Sequence, residues 1–179
     1  MPAMSLMTDL IAKKHPATLP TLLALAAAAM LAGALFFEHG MGLAPCKLCH
    51  WQRLPYYLAL ALFIPPLIFG RKALVPTLAA AMLLFAATAS IGGFHTGVEQ
   101  GWWQGPSTCS GGGISDDPAL ALEQIMNAQL VRCDEIAWSF LGLSMAAWNM
   151  IIALGLTAVA GLGLIAARST PLTELPDAP

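Results

Sequence analysis

Four long stretches without charged residues constrain this chain more than any other feature. They cover residues 17–37, 54–70, 73–94 and 136–167, each close to the roughly 20 apolar residues with which an α-helix crosses a bilayer. Because 58% of the residues are hydrophobic and 10% are charged, one small core cannot bury all the apolar surface. We predict an all-α membrane protein with a four-transmembrane-helix bundle, spans at about 17–37, 54–70, 73–94 and 143–167, and one membrane domain over residues 1–179.

The distribution of positive charges predicts how this bundle is oriented across the membrane. Five cations lie at the ends or in the short loop between the second and third spans: Lys13, Lys14, Arg71, Lys72 and Arg168. Only three lie on the opposite side: Lys47, Arg53 and Arg132. Since cytoplasmic loops are enriched in Lys and Arg, both termini are predicted to be cytoplasmic, with loops 38–53 and 95–142 outside. The net charge of −2 and the scattered cations exclude a nucleic-acid-binding surface.

The second outer loop contains a short amphipathic pattern. Asp117 can cap a helix that Pro118 opens, and an apolar stripe follows at Leu122, Ile125, Met126 and Leu130. We predict a short interfacial helix here, lying on the bilayer surface. Three outer tryptophans, Trp102, Trp103 and Trp138, are typical of an aromatic belt.

All four cysteines lie in the two outer loops, and none lies in a span or on the cytoplasmic side. An even number of thiols outside the cytoplasm is expected to pair, and the spacing divides them into a close pair, Cys46 and Cys49, and a distant pair, Cys109 and Cys133. Cys109 precedes three glycines, which makes its sulfur accessible to another protein's thiolate. For the distant pair, a structural staple and a redox-active disulfide are equally consistent with the spacing.

The close pair lies directly before the second span. If Pro45 occupies the first helical turn, then Cys46, Cys49 and Arg53 fall on one helical face. The helix dipole and the guanidinium both favour a thiolate there. Because the ring closed by two intervening residues is small and contributes little stability, we predict that this pair is redox-active.

Two other interpretations of this motif, a haem site and a zinc site, fit the whole chain less well than a redox-active pair. Residues 46–50 also match the attachment motif of c-type haem, with His50 as proximal ligand and a distal ligand from Met41, His39 or His95. The loop looks too short to enclose a porphyrin, and the distant pair would have no role. A zinc site built from Cys46, Cys49 and two histidines leaves that pair unexplained too, so we predict no metal.

The electrons taken up by such thiols need an acceptor. The chain has no nucleotide fingerprint or flavin motif, which favours a lipid-soluble quinone. Arg53 is suitably placed to hydrogen-bond a quinone oxygen and stabilise the anion formed on reduction. His95, at the outer end of the third span, is a candidate proton donor or polar contact in the same pocket.

Three segments together resemble the DsbB family. These are Cys46, Cys49 and Arg53 in a Cys-x-x-Cys-x-x-x-Arg arrangement, the run at 94–99, and the run at 133–145. The resemblance covers the chain from the first to the fourth span. Trp51 and Gln52 depart from it, since a tyrosine and a glutamate are found at these positions in some members.

The resemblance implies a route for electrons. A reduced periplasmic DsbA-like thiol oxidoreductase attacks the Cys109–Cys133 disulfide at Cys109, the electrons pass to Cys46 and Cys49, and ubiquinone or menaquinone from the membrane pool accepts them. It makes Cys49 the thiolate that contacts the quinone, with Arg53 supporting and His95 nearby, whereas the dipole argument favours Cys46. It also implies a multi-pass protein of the bacterial inner membrane with periplasmic redox loops.

Two alternatives belong to other classes. A vitamin K epoxide reductase-like enzyme combines four helices with quinone chemistry, but its Cys-x-x-Cys pair comes late in the chain. A membrane scaffold with structural disulfides predicts that no cysteine exchanges with an external thiol.

Overall fold

The computed structural model describes residues 18–69, 71–106, 117–127 and 131–169. Its elements in chain order are α1 (Thr18–Leu35), a π-helical turn (Phe36–Gly40), α2 (Lys47–Leu62), α3 (Pro65–Phe69), α4 (Arg71–Glu99), α5 (Pro118–Asn127), β1 (Ser139–Phe140), β2 (Leu143–Ser144) and α6 (Met145–Ser169). Cys109, Leu130 and both chain termini lie outside the described residues. The described part is mostly helical, which confirms the predicted all-α class in outline.

Three helices in the described part are long and apolar enough to cross a membrane, where the sequence predicts four. They are residues Thr18–Gly40, Lys72–Glu99 and Met145–Ser169. The predicted span at 54–70 is divided instead, because α2 begins earlier, at Lys47, and ends at Leu62. Pro65 and Pro66 follow at once, and proline cannot continue the hydrogen-bonded ladder of a preceding helix. The fourth crossing therefore stays a prediction.

The helices pack closely around α4. It contacts α6 most extensively and also packs against α2, which contacts α1. A Cβ atom on Gly92 would lie 3.2 Å from the backbone nitrogen of Met150, so this glycine permits the close approach of α4 and α6. The main buried core includes Leu23, Leu78 and Phe85 and lies between these helices.

A tight hairpin leads into α6. Its two strands are antiparallel, with Phe140 opposite Leu143, and Leu141 and Gly142 both have positive φ, at 52° and 79°. Two successive positive φ values are what a type I′ hairpin turn requires. The hydroxyl of Ser144 then accepts a hydrogen bond from the Ala147 N–H at 3.2 Å, which caps the first turn of α6.

The amphipathic segment is helical, as the sequence predicts. The α5 helix begins at Pro118, and the Asp117 carboxylate accepts a hydrogen bond from the Ala119 N–H at 2.9 Å. Leu122 and Met126 of its apolar stripe are exposed. Its location on the bilayer surface stays a prediction.

Candidate functional site

Cys46 is the N-cap of α2. Its backbone is extended (φ −75°, ψ 172°), and its sulfur accepts a hydrogen bond from the Cys49 N–H at 3.3 Å. The prediction that Pro45 occupies the first turn is therefore wrong, because the helix begins at Lys47. A sulfur in the cap position receives one of the free N–H groups of the helix start, so the predicted effect of the helix dipole applies to Cys46 in particular.

The two sulfurs of the close pair are thiols in contact. The Cys46 and Cys49 Sγ atoms lie 3.0 Å apart, and both residues are free cysteines. The pKa of Cys46 is lowered, mainly by a hydrogen bond from the Cys49 thiol and further by His95, and these effects outweigh burial, which acts the other way. Cys46 is therefore the better stabilised thiolate, and Cys49 is the less buried residue of the two.

His95 is in direct reach of this pair. Its Nε2 lies 3.6 Å from the Cys46 sulfur, and the residue is 4% exposed. The helix α4 continues to Glu99, past the predicted end of the third span at residue 94, and this extra turn carries His95 against the start of α2. The structure thus brings together Cys46, Cys49 and His95, as the sequence analysis expected.

A chain of hydrogen bonds orients the imidazole. The Gln52 side-chain nitrogen donates to His95 Nδ1 at 2.8 Å, and the Gln52 oxygen accepts from the Asn149 side-chain nitrogen at 2.6 Å. The Tyr56 hydroxyl donates to the Asn149 oxygen at 2.8 Å. With this assignment of the amides, Nδ1 is an acceptor, so Nε2 of a neutral imidazole carries the proton and donates toward Cys46.

Two of these partners were not expected from the sequence. Asn149 and Tyr56 lie in the predicted spans, and the signal for Asn149 is that it is the only carboxamide between residues 136 and 167. A polar residue inside a predicted span is a functional candidate by default. Tyr56 offers no comparable signal, because a tyrosine near a membrane interface is ordinary.

Glu99 connects His95 to the start of α6. Its Oε1 lies 3.9 Å from His95 Nε2, and its other oxygen accepts a short hydrogen bond from the Ser144 hydroxyl. This carboxylate also was not among the expected site residues. It holds the outer ends of α4 and α6 together beside the thiol pair.

Cys133 lies beside the close pair. It is buried in one small apolar cluster with Cys46, Leu48 and Val98, and it is disulfide-bonded. Its expected partner, Cys109, lies outside the described residues. One cysteine of each predicted pair thus lies in this cluster, although the two positions are far apart in sequence.

Arg53 is held by the first helix. Its guanidinium donates a short hydrogen bond to the Glu38 carboxylate and another to the Ala34 carbonyl oxygen at 3.2 Å. Glu38 belongs to the π-helical turn, and such turns are frequent at functional sites. The sequence analysis did not identify Glu38 as a site residue, although an acid at the end of an apolar helix can indicate an ion pair with a nearby cation.

Beside these groups lies a cavity of about 420 Å³, lined mostly by apolar side chains. Cys46, Cys49, Arg53 and His95 all face it. Another part of its lining is aromatic, since the Trp138 ring packs against Phe37 at 4.9 Å between centroids. Trp138 therefore lines the cavity, in addition to its predicted place in the aromatic belt, whereas Trp102 and Trp103 are exposed. The volume lies within the usual range of small-molecule pockets.

Comparison with known proteins identifies a family. A family model described as "Disulfide bond formation protein DsbB" matches residues 16–163. Curated proteins named "Disulfide bond formation protein B" are similar over most of their length. That of Methylococcus capsulatus is 36% identical over 137 residues, covering 73% of this chain and 83% of the relative. That of Stutzerimonas stutzeri is 31% identical over 158 residues, covering 80% and 91%.

A comparison with solved structures finds no match. The family match nevertheless extends over both predicted outer loops, the first three uncharged stretches and most of the fourth. Together with the membrane-spanning helices, the sequence matches show that this chain is a multi-pass bacterial membrane protein that belongs to the DsbB family of disulfide bond formation proteins.

Proposed function

We propose that this protein reoxidises a periplasmic DsbA-like thiol oxidoreductase and passes the electrons to a membrane quinone. The observation that carries the proposal is the position of the Cys46 and Cys49 thiols. They lie between an apolar cavity, which they help to line, and the disulfide-bonded Cys133, which shares a buried cluster with Cys46. One side suits a hydrophobic electron acceptor, and the other suits exchange with a second cysteine pair.

The first step is exchange with the partner protein. A partner thiolate attacks Cys109 of the Cys109–Cys133 disulfide and forms a mixed disulfide, with Cys133 leaving as a thiolate. The partner's second thiolate then resolves the mixed disulfide and releases Cys109. In balance, the partner's two thiols become a disulfide, and two electrons and two protons move to the distant pair.

The second step transfers these electrons within the chain. Cys133 attacks Cys46 of an oxidised close pair and releases Cys49, and Cys109 then attacks Cys133 and releases Cys46. Cys46 is a good leaving group because the helix cap and the Cys49 hydrogen bond stabilise its thiolate, and a thiol of low pKa leaves faster. The position of Cys46 and Cys133 in one buried cluster supports this order.

The cavity fits the head group of a quinone. Its apolar lining and volume of about 420 Å³ suit a flat hydrophobic ring, and its polar groups are few and lie together at the thiol pair. Arg53, His95 and Cys49 are the residues that would hold the ring. When bound, a quinone supplies the acceptor for the two electrons and two protons of the reduced pair.

Within that pocket, this chain's residues have separate tasks. Cys49, which lines the cavity together with Cys46, is the thiolate that we assign to contact with the quinone, on the family analogy. Arg53 provides positive charge held in place by Glu38. His95 holds a proton at Nε2, next to the thiol pair. Phe37 and Trp138 contribute an aromatic surface that excludes water.

The proposal includes the location and the membrane topology of the protein. The protein lies in the bacterial inner membrane with four crossings, both termini cytoplasmic and loops 38–53 and 95–142 periplasmic, because five of its eight cations lie on the opposite side from the cysteines. We place α5 on the periplasmic bilayer surface. Reporter fusions at the carboxyl terminus and in the 95–142 loop are expected to give opposite sidedness.

The experiment that tests the function follows quinone absorbance. Purified protein in detergent receives ubiquinone and then a reduced DsbA-like protein. We expect catalytic loss of the quinone band, which Cys49→Ser and Cys109→Ser abolish and His50→Ala, a change at an exposed neighbour of Cys49, leaves intact. The absence of loss with both ubiquinone and menaquinone would overturn the proposal, and a Soret band would indicate bound haem instead.

A further inference from the structure

Three metal-ligating atoms converge at the thiol pair. The Cys46 sulfur, the Cys49 sulfur and His95 Nε2 all lie within 4.8 Å of one another. Although the sequence predicts no metal here, we propose that the reduced form of this protein binds one zinc ion, or a similar thiophilic divalent cation, through these three atoms. This site does not depend on quinone reduction, since it needs only the two thiols and the imidazole.

The distances are close to those of a zinc site. With zinc–sulfur bonds of about 2.3 Å and a zinc–nitrogen bond of about 2.0 Å, tetrahedral ligand atoms lie roughly 3.5 to 3.8 Å apart. The Cys46 sulfur is 3.6 Å from His95 Nε2, which already fits. The two sulfurs are 3.0 Å apart and need to separate by less than about 1 Å. Cys-x-x-Cys spacing is also common among zinc sites.

The ligands are held in place before any metal arrives. Cys46 is fixed as the cap of α2, and His95 is buried on α4. Glu99, with an oxygen 3.9 Å from Nε2, offers a carboxylate for a fourth position. The rest of the site faces the cavity. Three protein ligands with an open position are characteristic of sites that exchange their metal ion or bind a further ligand.

The hydrogen-bond chain behind His95 is compatible with coordination. A metal at Nε2 requires the imidazole proton at Nδ1, and a second-shell acceptor there usually fixes the ring. Gln52 can rotate its amide to present oxygen to Nδ1. Asn149 and Tyr56 can reverse with it, because an amide and a hydroxyl each offer both a donor and an acceptor.

Charge favours the metal complex. Two thiolates side by side repel each other, and a divalent cation neutralises both. Binding displaces the remaining thiol protons and changes no oxidation state.

The site exists only when the pair is reduced. A Cys46–Cys49 disulfide removes both anionic ligands, so metal binding and disulfide formation exclude each other. A bound zinc ion would therefore keep the close pair out of the electron pathway, and oxidation of the pair would expel the ion. Zinc in the periplasm would act as a reversible inhibitor that recognises one redox state.

The test measures metal binding directly. The full-length protein is reduced with a thiol-free reductant, stripped with a chelator and titrated with Co²⁺ without oxygen. We expect a near-ultraviolet thiolate-to-cobalt charge-transfer band that saturates at one equivalent and disappears when Zn²⁺ is added. The oxidised protein should give no band. The titration is repeated in Cys109→Ser/Cys133→Ser, because reduction also frees the distant thiols.

Two histidine variants identify the third ligand. His95→Ala should weaken cobalt binding at least tenfold and shift the visible bands, whereas His50→Ala, which removes an exposed imidazole next to Cys49, should change neither. Equal titrations of the two variants would overturn the three-ligand site. So would a one-equivalent band that survives Cys46→Ser in the background without the distant thiols, or no band in the reduced wild type.

Discussion

The side-chain nitrogen of Gln52 lies 2.8 Å from Nδ1 of His95, and this contact joins two helices at the thiol pair. It makes α2, which carries the cysteines, supply the partner that orients the imidazole from α4. The Thr88 hydroxyl strengthens the same junction by donating to the Gln52 carbonyl oxygen at 2.7 Å. Gln52, a position at which this chain differs from some family members, thus helps to orient His95.

Replacing Gln52 should impair thiol oxidation without unfolding the protein. In Gln52→Ala, His95 loses the bond that holds Nε2 toward Cys46, and we expect the rate of quinone reduction to fall about tenfold, equivalent to about 1.4 kcal/mol. Asn149→Ala should act in the same direction but less strongly, because it is one bond further from the imidazole. Turnover is measured with saturating quinone and partner.

The matched control for that prediction is Gln100→Ala. Gln100 is exposed just after the end of α4. If both glutamine variants slow turnover equally, or if Gln52→Ala keeps the wild-type rate, the orienting role is wrong.

The lowered pKa of Cys46 gives a pH dependence with a definite sign. Because the folded protein stabilises the thiolate, Cys46 should stay ionised as the pH falls below about 8.5, the ordinary value for cysteine. The alkylation rate of Cys46 in chelator-treated reduced protein should therefore change little between about pH 8 and 6. In the unfolded chain it should fall nearly tenfold for each pH unit over the same interval.

Mass spectrometry of the Cys46 peptide after timed exposure to iodoacetamide provides the measurement. The urea-unfolded protein, labelled in parallel, is the reference for an unperturbed thiol. Rates that decline in parallel for the folded and unfolded chains would contradict the assignment of Cys46 as the stabilised thiolate.

Part of this site follows directly from sequence, and part depends on packing. The helix start before the second span predicts the Cys46 and Cys49 arrangement, because caps and short spacings are local properties. The exact start of the helix is not predicted, since the sequence analysis places Pro45 in the first turn, whereas the extended backbone of Cys46 makes Cys46 the cap. The buried cluster that includes Cys46 and Cys133 joins positions 87 residues apart, which no local pattern encodes.

The length of the helices shows a similar division. Hydropathy locates α1, α4 and α6 within a few residues, because lipid imposes a continuous apolar stretch. It does not predict that α4 continues one turn beyond residue 94, since Glu99 is charged and would ordinarily end a span. That turn is stabilised by the short hydrogen bond from Ser144 to Glu99, a tertiary contact, and it is what places His95 in the site.

Glu38 should affect quinone binding because it positions Arg53. In Glu38→Gln, the guanidinium loses its charged partner and keeps only the hydrogen bond to the Ala34 carbonyl, so it is less well positioned. We expect the KM for quinone to rise several-fold, while exchange with the DsbA-like partner is unchanged. Initial rates over a range of quinone concentrations, together with stopped-flow thiol exchange, separate the two effects.

Glu123→Gln is the control, because Glu123 is an exposed acid on α5 and its removal changes the net charge equally. A similar rise in KM for both variants would indicate a general electrostatic effect in place of positioning.

Two glycines should differ sharply in their tolerance of alanine. A Cβ on Gly92 would lie 3.2 Å from the Met150 nitrogen and 3.3 Å from the Ala146 oxygen, and backbone atoms cannot move aside without separating α4 from α6. We expect Gly92→Ala to destabilise the protein by roughly 1–3 kcal/mol. Gly155→Ala, where no atom lies within 4 Å of the new methyl group, should be neutral or slightly stabilising, since alanine favours helix.

Thermal unfolding in detergent, followed by circular dichroism, compares these two variants. Both add one methyl group to a helix of the bundle, so the difference between them reports the helix contact alone. Equal midpoints for Gly92→Ala and Gly155→Ala would mean that the α4–α6 approach is looser than the structure has it.

Trp138 and Trp102 offer a last comparison, because the sequence treats them alike and the structure does not. Trp138 packs on Phe37 and lines the cavity beside the thiol pair, whereas Trp102 is 69% exposed. Trp138→Ala should raise the KM for quinone about tenfold by removing an aromatic surface worth about 1 kcal/mol or more to a bound ring. Trp102→Ala should leave KM unchanged, and quinone titrations of both variants at fixed partner concentration measure the difference. An unchanged KM in Trp138→Ala would show that the ring binds outside this cavity, because a ring bound inside it could not lose that surface without losing affinity.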